Sequence, residues 1–100
     1  MQISKKNLYA IKNLCDTYRV KRFFVFGSVL RNDFNENSDI DFVVDFYEKD
    51  PIKYTDLYFD LKENLEKILK RPIDLIEERG IKNSFFKKEV EESKVLIYGQ

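Results

Sequence analysis

Two aspartates, Asp39 and Asp41, stand two residues apart at the head of the apolar run 39–46. On a strand that spacing sends both side chains out of one face, with their Cα atoms about 7 Å apart. Two like charges beside core residues repel one another and resist burial, and a divalent cation relieves both penalties. Mg²⁺ is the natural choice, because it prefers carboxylates, water and phosphate oxygens and leaves phosphates open to in-line attack. A third carboxylate, Asp74, interrupts a second short apolar run, 73–76. If the two strands are neighbours, Asp39, Asp41 and Asp74 converge. Such a triad holds two cations about 3.5–4 Å apart, one activating an attacking hydroxyl and one neutralising phosphates. Asp74 is then the general base or a ligand of the activating metal. The chain has no histidine, so the base is a carboxylate or metal-activated water.

Upstream, Gly27 ends the apolar run Phe23-Phe24-Val25-Phe26. Lacking a Cβ, it lets the backbone turn sharply and approach a phosphate closely. Ser28 adds a hydroxyl and a backbone N–H, and a short helix starting there would aim its positive end at a triphosphate. Arg31, one turn later, has a planar fork suited to phosphate oxygens.

These residues need elements to hold them. Leu8, Ile11, Leu14, Cys15 and Tyr18 recur at three- and four-residue steps, which predicts an amphipathic helix over 4–18 with Ser4 as its cap. Residues 23–26 read as a strand buried on both sides, and 39–46 as the next strand. The polar segment 29–38 between them has room for a helical turn and a loop. Asp50-Pro51 opens a long helix, its apolar stripe running from Tyr54 to Leu69 until Arg71-Pro72 stops it. Residues 73–76 form a third strand, 81–93 a last helix, and 95–98 a short apolar strand or tail. The KKEVEESK stretch reads as a solvated helix face. The short link between the first two strands favours antiparallel neighbours, and the order of elements predicts an α/β (α+β) sandwich, helices against a small mixed sheet.

With 100 residues there is room for one core, and residues 1–100 are read as one domain. Lys and Arg number 18 and Asp and Glu also 18, with the basic residues dispersed, so direct binding of long nucleic acid is not expected. No apolar run approaches a membrane span, the N-terminus lacks a signal-peptide core, and Cys15 is the one cysteine, which together predict a cytoplasmic protein. Cys15 falls on the apolar stripe and reads as packing.

Taken singly, each residue has an ordinary explanation. Asp39 suits a turn after Asn37-Ser38, Asp74 a solvent-facing position on an edge strand, and Arg31 a surface charge. Phe34, Tyr47, Tyr54, Tyr58, Phe85 and Phe86 are core or rim for the most part, with a surplus available to a partner surface. The specific signal is the combination: Gly-Ser, ten residues, Asp-x-Asp, then an isolated strand aspartate.

That combination resembles the signature of the DNA-polymerase-beta-like nucleotidyltransferase superfamily, and FGSVLRNDFNENSDIDFVV is similar to its minimal nucleotidyltransferase (MNT) branch. The likeness runs through PIDLIE to the closing VLIYG. It implies the polymerase-beta-like fold, a phosphate-binding turn at Gly27 and Ser28, metal ligands at Asp39 and Asp41, and Asp74 as the third carboxylate. Arg31 stands where relatives often carry arginine, whereas Val29 replaces an arginine common after the serine. The branch implies an Mg²⁺-dependent antitoxin that moves AMP from ATP to a tyrosine of a HEPN-type toxin. Two other readings stand beside it: a module that neutralises its partner by masking, and a small-molecule nucleotidyltransferase working with a helical partner subunit. Whether it forms a homo- or hetero-oligomer is open.

Overall fold

The computed structural model describes residues 3–30, 35 and 37–99, with Ser28 described by its backbone alone. Arg31 and Phe34, both singled out above, lie outside these residues.

The first helix, α1 (Lys5–Thr17), starts where Ser4 Oγ accepts the Asn7 N–H at 3.1 Å. It is followed by β1 (Val20–Phe26), a 3₁₀ turn (Gly27–Leu30) and β2 (Ile40–Phe46). The second helix, α2 (Pro51–Leu69), opens as expected, with Asp50 Oδ1 accepting from Ile52 N at 2.9 Å and Lys53 N at 3.1 Å. Such a cap contributes about 1 kcal/mol. The helix ends at Lys70, whose φ of 56° is left-handed, just before Arg71-Pro72. Then come β3 (Ile73–Glu77), a 3₁₀ turn (Glu78–Gly80), α3 (Ser84–Ser93) and β4 (Val95–Gly99). The last helix begins three residues later than its apolar spacing suggests, because Asn83 caps it by accepting the Phe86 N–H at 3.0 Å.

The strands form one sheet in the order β3-β2-β1-β4. β1 runs antiparallel to β2 and to β4, and β2 runs parallel to β3, with α2 as the crossover between them. Alternation along the strands divides the apolar residues between two faces. Phe23, Val25, Ile40, Phe42, Val44, Phe46, Ile73 and Leu75 face α1 and α2, where Ile11, Cys15, Leu61 and Leu65 are fully buried. A one-residue slip of β2 would bury its aspartates and expose that set, so the register is strongly determined. The second face carries a smaller cluster of Phe24, Val43 and Val90, edged by Phe26, Ile76, Ile81 and Phe86, under α3. β1 is thus apolar on both sides, as its unbroken run predicts.

The β3 edge is closed by side chains of α2. Glu66 Oε2 accepts the Ile73 N–H at 3.2 Å, and the Tyr58 hydroxyl donates to the Leu75 carbonyl at 2.6 Å. Backbone groups that would template further pairing are satisfied there. Among the described residues no helix is long and apolar enough to cross a membrane.

Candidate active site

The parallel register pairs Asp41 with Asp74 across β2 and β3. Neighbouring strands lie about 4.8 Å apart. Because Ile40, Phe42, Ile73 and Leu75 enter the first-face core, Asp41 and Asp74 leave the sheet on its second face, side by side. The adjacency on which the triad depends is therefore present. Asp74 is exposed on the edge strand and Asp41 is half-buried. Asp39 lies one residue before β2, exposed and outside the regular ladder, so strand alternation does not fix it as expected. Among the described residues no group of three His, Cys, Asp or Glu side chains is placed to hold a metal ion as it stands. The chemistry of the donors still suits a hard cation: oxygen ligands only, on adjoining backbone.

Gly27 ties the turn to this pair. Its φ is +81°, and a Cβ built there would overlap Asp41 Oδ2 and stand 3.3 Å from Asp41 Cγ. The Asp41 carboxylate therefore occupies the space a side chain at position 27 would need. Glycine is required twice, for conformation and for room. The 3₁₀ turn begins at Gly27 itself and is anchored by Val29, which is fully buried. The predicted roles of the Ser28 side chain and of Arg31 fall outside the described residues.

Across from the turn stands α3. Phe26, Gly27 and Asp41 form one wall of an open cavity of about 420 Å³, and Phe86, Glu89, Glu92 and Ser93 form the other. Phe26 and Phe86 meet edge to face with centroids 6.0 Å apart, which holds the helix against the strand end. The Lys/Glu-rich part of this helix is solvated, as its composition predicts, yet Glu89 and Glu92 also look across at Asp41. The signal was in the spacing, since Phe86, Glu89 and Glu92 recur at three-residue steps along one stripe.

Two further features were not evident from local sequence. Arg71 Nη1 donates to the Ser38 carbonyl at 2.9 Å and to the Asn35 carbonyl at 3.3 Å, pinning the segment that leads into Asp39. Toward the other end of the second face, Arg22 grips Glu78 at 2.9 Å and Arg79 grips Asp45 at 2.9 Å. Of the surplus aromatics, Tyr54 is buried, Tyr58 and Phe86 are partly buried, and Tyr47 and Phe85 are exposed. Burial, and after it the negative charges of Glu77 and Asp74, raise the Tyr58 phenol above its ordinary value. Cys15 is fully buried, and burial followed by the Asp16 charge pushes its thiol up to about 12.

Residues 9–97 match the nucleotidyltransferase domain family. Over 87 residues the chain is 44% identical to a Methanocaldococcus jannaschii protein bearing the provisional name protein adenylyltransferase, covering 87% of this chain and 84% of that one. A solved structure of a provisionally assigned minimal nucleotidyltransferase superposes with a TM-score of 0.75 at 30% identity, over 91% of this chain and 89% of the other. A chain from the solved complex of a tri-AMPylated Shewanella oneidensis HEPN toxin with an MNT antitoxin superposes with a TM-score of 0.67. That match has 21% identity and covers 100% of this chain and 74% of the other, and it is a likeness of fold. The mixed α/β fold expected from the resemblance is the one found.

Proposed function

This chain belongs to the nucleotidyltransferase domain family, and we propose that it moves AMP from ATP to a tyrosine hydroxyl of a HEPN-type toxin, acting as that toxin's antitoxin. The observation that carries the reading is the in-register Asp41–Asp74 pair beside Gly27, whose missing side chain leaves room for Asp41. The protein acceptor is supported by the adenylyltransferase relative and by the AMPylated toxin in the complex that shares this fold. On this reading residues 1–100 work as one unit in the cytoplasm, where ATP is at hand.

Asp39, Asp41 and Asp74 are the residues that would hold Mg²⁺. When bound, the cation neutralises phosphate charge and favours ionisation of the attacking hydroxyl. The chain's own groups supply the rest. Gly27 lets phosphate oxygens reach the backbone N–H groups of the turn, with the Ser28 hydroxyl and the Arg31 fork as further donors. Asp74, exposed at the sheet edge, takes the proton of the acceptor hydroxyl. The tyrosine oxygen bonds to the α-phosphorus as the bond to the bridging oxygen breaks, and pyrophosphate leaves with that electron pair. Incubating the protein with its toxin, labelled ATP and Mg²⁺ tests this directly. Label is expected on the toxin with wild type and not with Asp39→Asn/Asp41→Asn; equal labelling, or none with wild type, rejects the transfer.

A second reading has its own observation. Tyr9, Tyr47, Ile52, Phe59 and Phe85 are exposed, an apolar supply suited to a partner surface. On that reading the domain neutralises the toxin by covering it. The same double variant separates the two, because masking predicts that it still restores growth of toxin-expressing cells and transfer predicts that it does not.

A further inference from the structure

A second cavity, of about 490 Å³, opens between β3, the Glu78–Gly80 turn and the start of α3. Tyr58, Ile76, Ile81 and Phe86 give it apolar walls, and Glu77 and Lys82 stand among its polar groups. Its relation to the carboxylates is set by two elements. Ile76 follows Asp74 by two residues on β3, so both leave the same face with Cα atoms about 7 Å apart. Phe86 is a wall of this cavity and also of the one that contains Gly27 and Asp41. Across the sheet the order is therefore turn, Asp41 and Asp74, with the cavity reached from Ile76 at the β3 edge.

In-line displacement puts the entering oxygen and the departing pyrophosphate on opposite sides of the reacting phosphorus. With the phosphates on the Gly27 turn, the entering hydroxyl comes from the Asp74 side. What lies there is a cavity with Ile76, Ile81 and Phe86 among its walls, beginning two residues along β3 from Asp74. A phenol is a flat apolar body with one polar tip, and the match is with that shape. A polyhydroxylated acceptor would leave Ile76, Ile81 and Phe86 against groups that need hydrogen bonds.

We infer that this cavity seats the acceptor tyrosine, its ring between Ile76, Ile81 and Phe86 and its hydroxyl directed toward Asp74. The inference rests on the adenylyl-transfer reading above. It makes Ile76, Ile81 and Phe86 determinants of acceptor specificity, and it leaves ATP binding to the Gly27 side.

Gly80 provides the test. Its φ is not left-handed, and a Cβ there meets Glu77 Cβ at 3.7 Å, an ordinary contact, so Gly80→Leu adds bulk to the cavity wall without forcing the backbone. In steady-state transfer to the toxin, Gly80→Leu is expected to raise the toxin KM about tenfold or more. The Kd of the ATP analogue AMP-PNP, measured without toxin so that no acceptor can displace at its intact α–β bond, should stay within about twofold. An unchanged toxin KM overturns the assignment. So does a weakened AMP-PNP affinity, which would make the cavity the base site. A second measurement needs no turnover: with Ile81 replaced by the photocrosslinker p-benzoylphenylalanine, irradiation of the complex should label the tyrosine-bearing segment of the toxin. Crosslinks elsewhere, or none, overturn the cavity assignment even where wild type transfers AMP. Crosslinks to that segment without transfer by wild type would sink the chemistry and keep the docking site.

Discussion

Gly27→Ala separates what the turn does for folding from what it does for Asp41. Holding a residue with a Cβ at φ +81° costs about 1–2 kcal/mol. The new methyl also overlaps Asp41 Oδ2 and lies 3.3 Å from Asp41 Cγ. Restoring van der Waals separations near 3.5 Å moves the carboxylate on the order of 1 Å, and such crowding costs roughly a further 1–3 kcal/mol. A 1 Å misplacement of a reacting group lowers turnover about 10²-fold. Urea unfolding should therefore show a loss of roughly 2–5 kcal/mol. AMP transfer, assayed well below the melting temperature of the variant, should fall about a hundredfold. The steric part is isolated by repeating the substitution in an Asp41→Ala background. There the carboxylate is gone and only the backbone cost of about 1–2 kcal/mol should remain. Equal destabilisation in both backgrounds would refute the contact between Asp41 and the turn. Wild-type turnover in folded Gly27→Ala would refute the role of that contact in catalysis.

Asp74→Asn should lower kcat by about 10²–10⁴ with little change in AMP-PNP affinity, and a loss below about tenfold would remove Asp74 as the base. Arg71→Ala frees the Ser38 and Asn35 carbonyls and should cut turnover about tenfold through Asp39 while leaving the toxin KM unchanged; full activity would show that the pin is structural only. The Cys15 thiol is raised from 9.0 to about 12, so the folded state keeps a proton that the unfolded chain loses. Its stabilisation is complete below pH 9 and lost as pH rises toward 12, by about 1.4 kcal/mol per pH unit. Urea midpoints should therefore fall more steeply with pH in wild type than in Cys15→Ala, and parallel profiles would refute this.

Local chemistry made much of this molecule readable. Asp50-Pro51 and Arg71-Pro72 bracket α2 because capping and proline geometry act within a few residues. The Asp41–Asp74 pairing is different in kind. It depends on α2 carrying the chain back to a parallel neighbour of β2, and the isolated aspartate in an apolar run was the only hint of it. Asp39 escapes the strand because Asn37-Ser38 turns the chain immediately before it. Arg71, and the pairing of Arg22 with Glu78, join residues far apart in sequence, which no periodicity reveals. Glu89 and Glu92 were hidden by composition: a Lys/Glu helix looks solvated until the seat of Val90 decides which stripe faces the sheet.

On the proposed reading, the two faces of the sheet divide stability from chemistry. On the first, α2 buries Tyr54, Leu61 and Leu65 against strand residues that are themselves fully covered, and replacing such a leucine by alanine costs about 2–5 kcal/mol. On the second, α3 has Val90 as its buried residue, with Phe86 packed beside it. Local stability follows buried apolar contact, so α3 separates from the sheet at a smaller cost than α2. That helix also supplies a wall to each of the two cavities that flank the carboxylates. On the proposed reading, the side of the molecule that admits a nucleotide and a protein side chain is thus closed by a helix held more weakly than α2. A substitution such as Val90→Ala should therefore raise KM values before it lowers the global unfolding free energy, whereas Leu61→Ala should do the reverse.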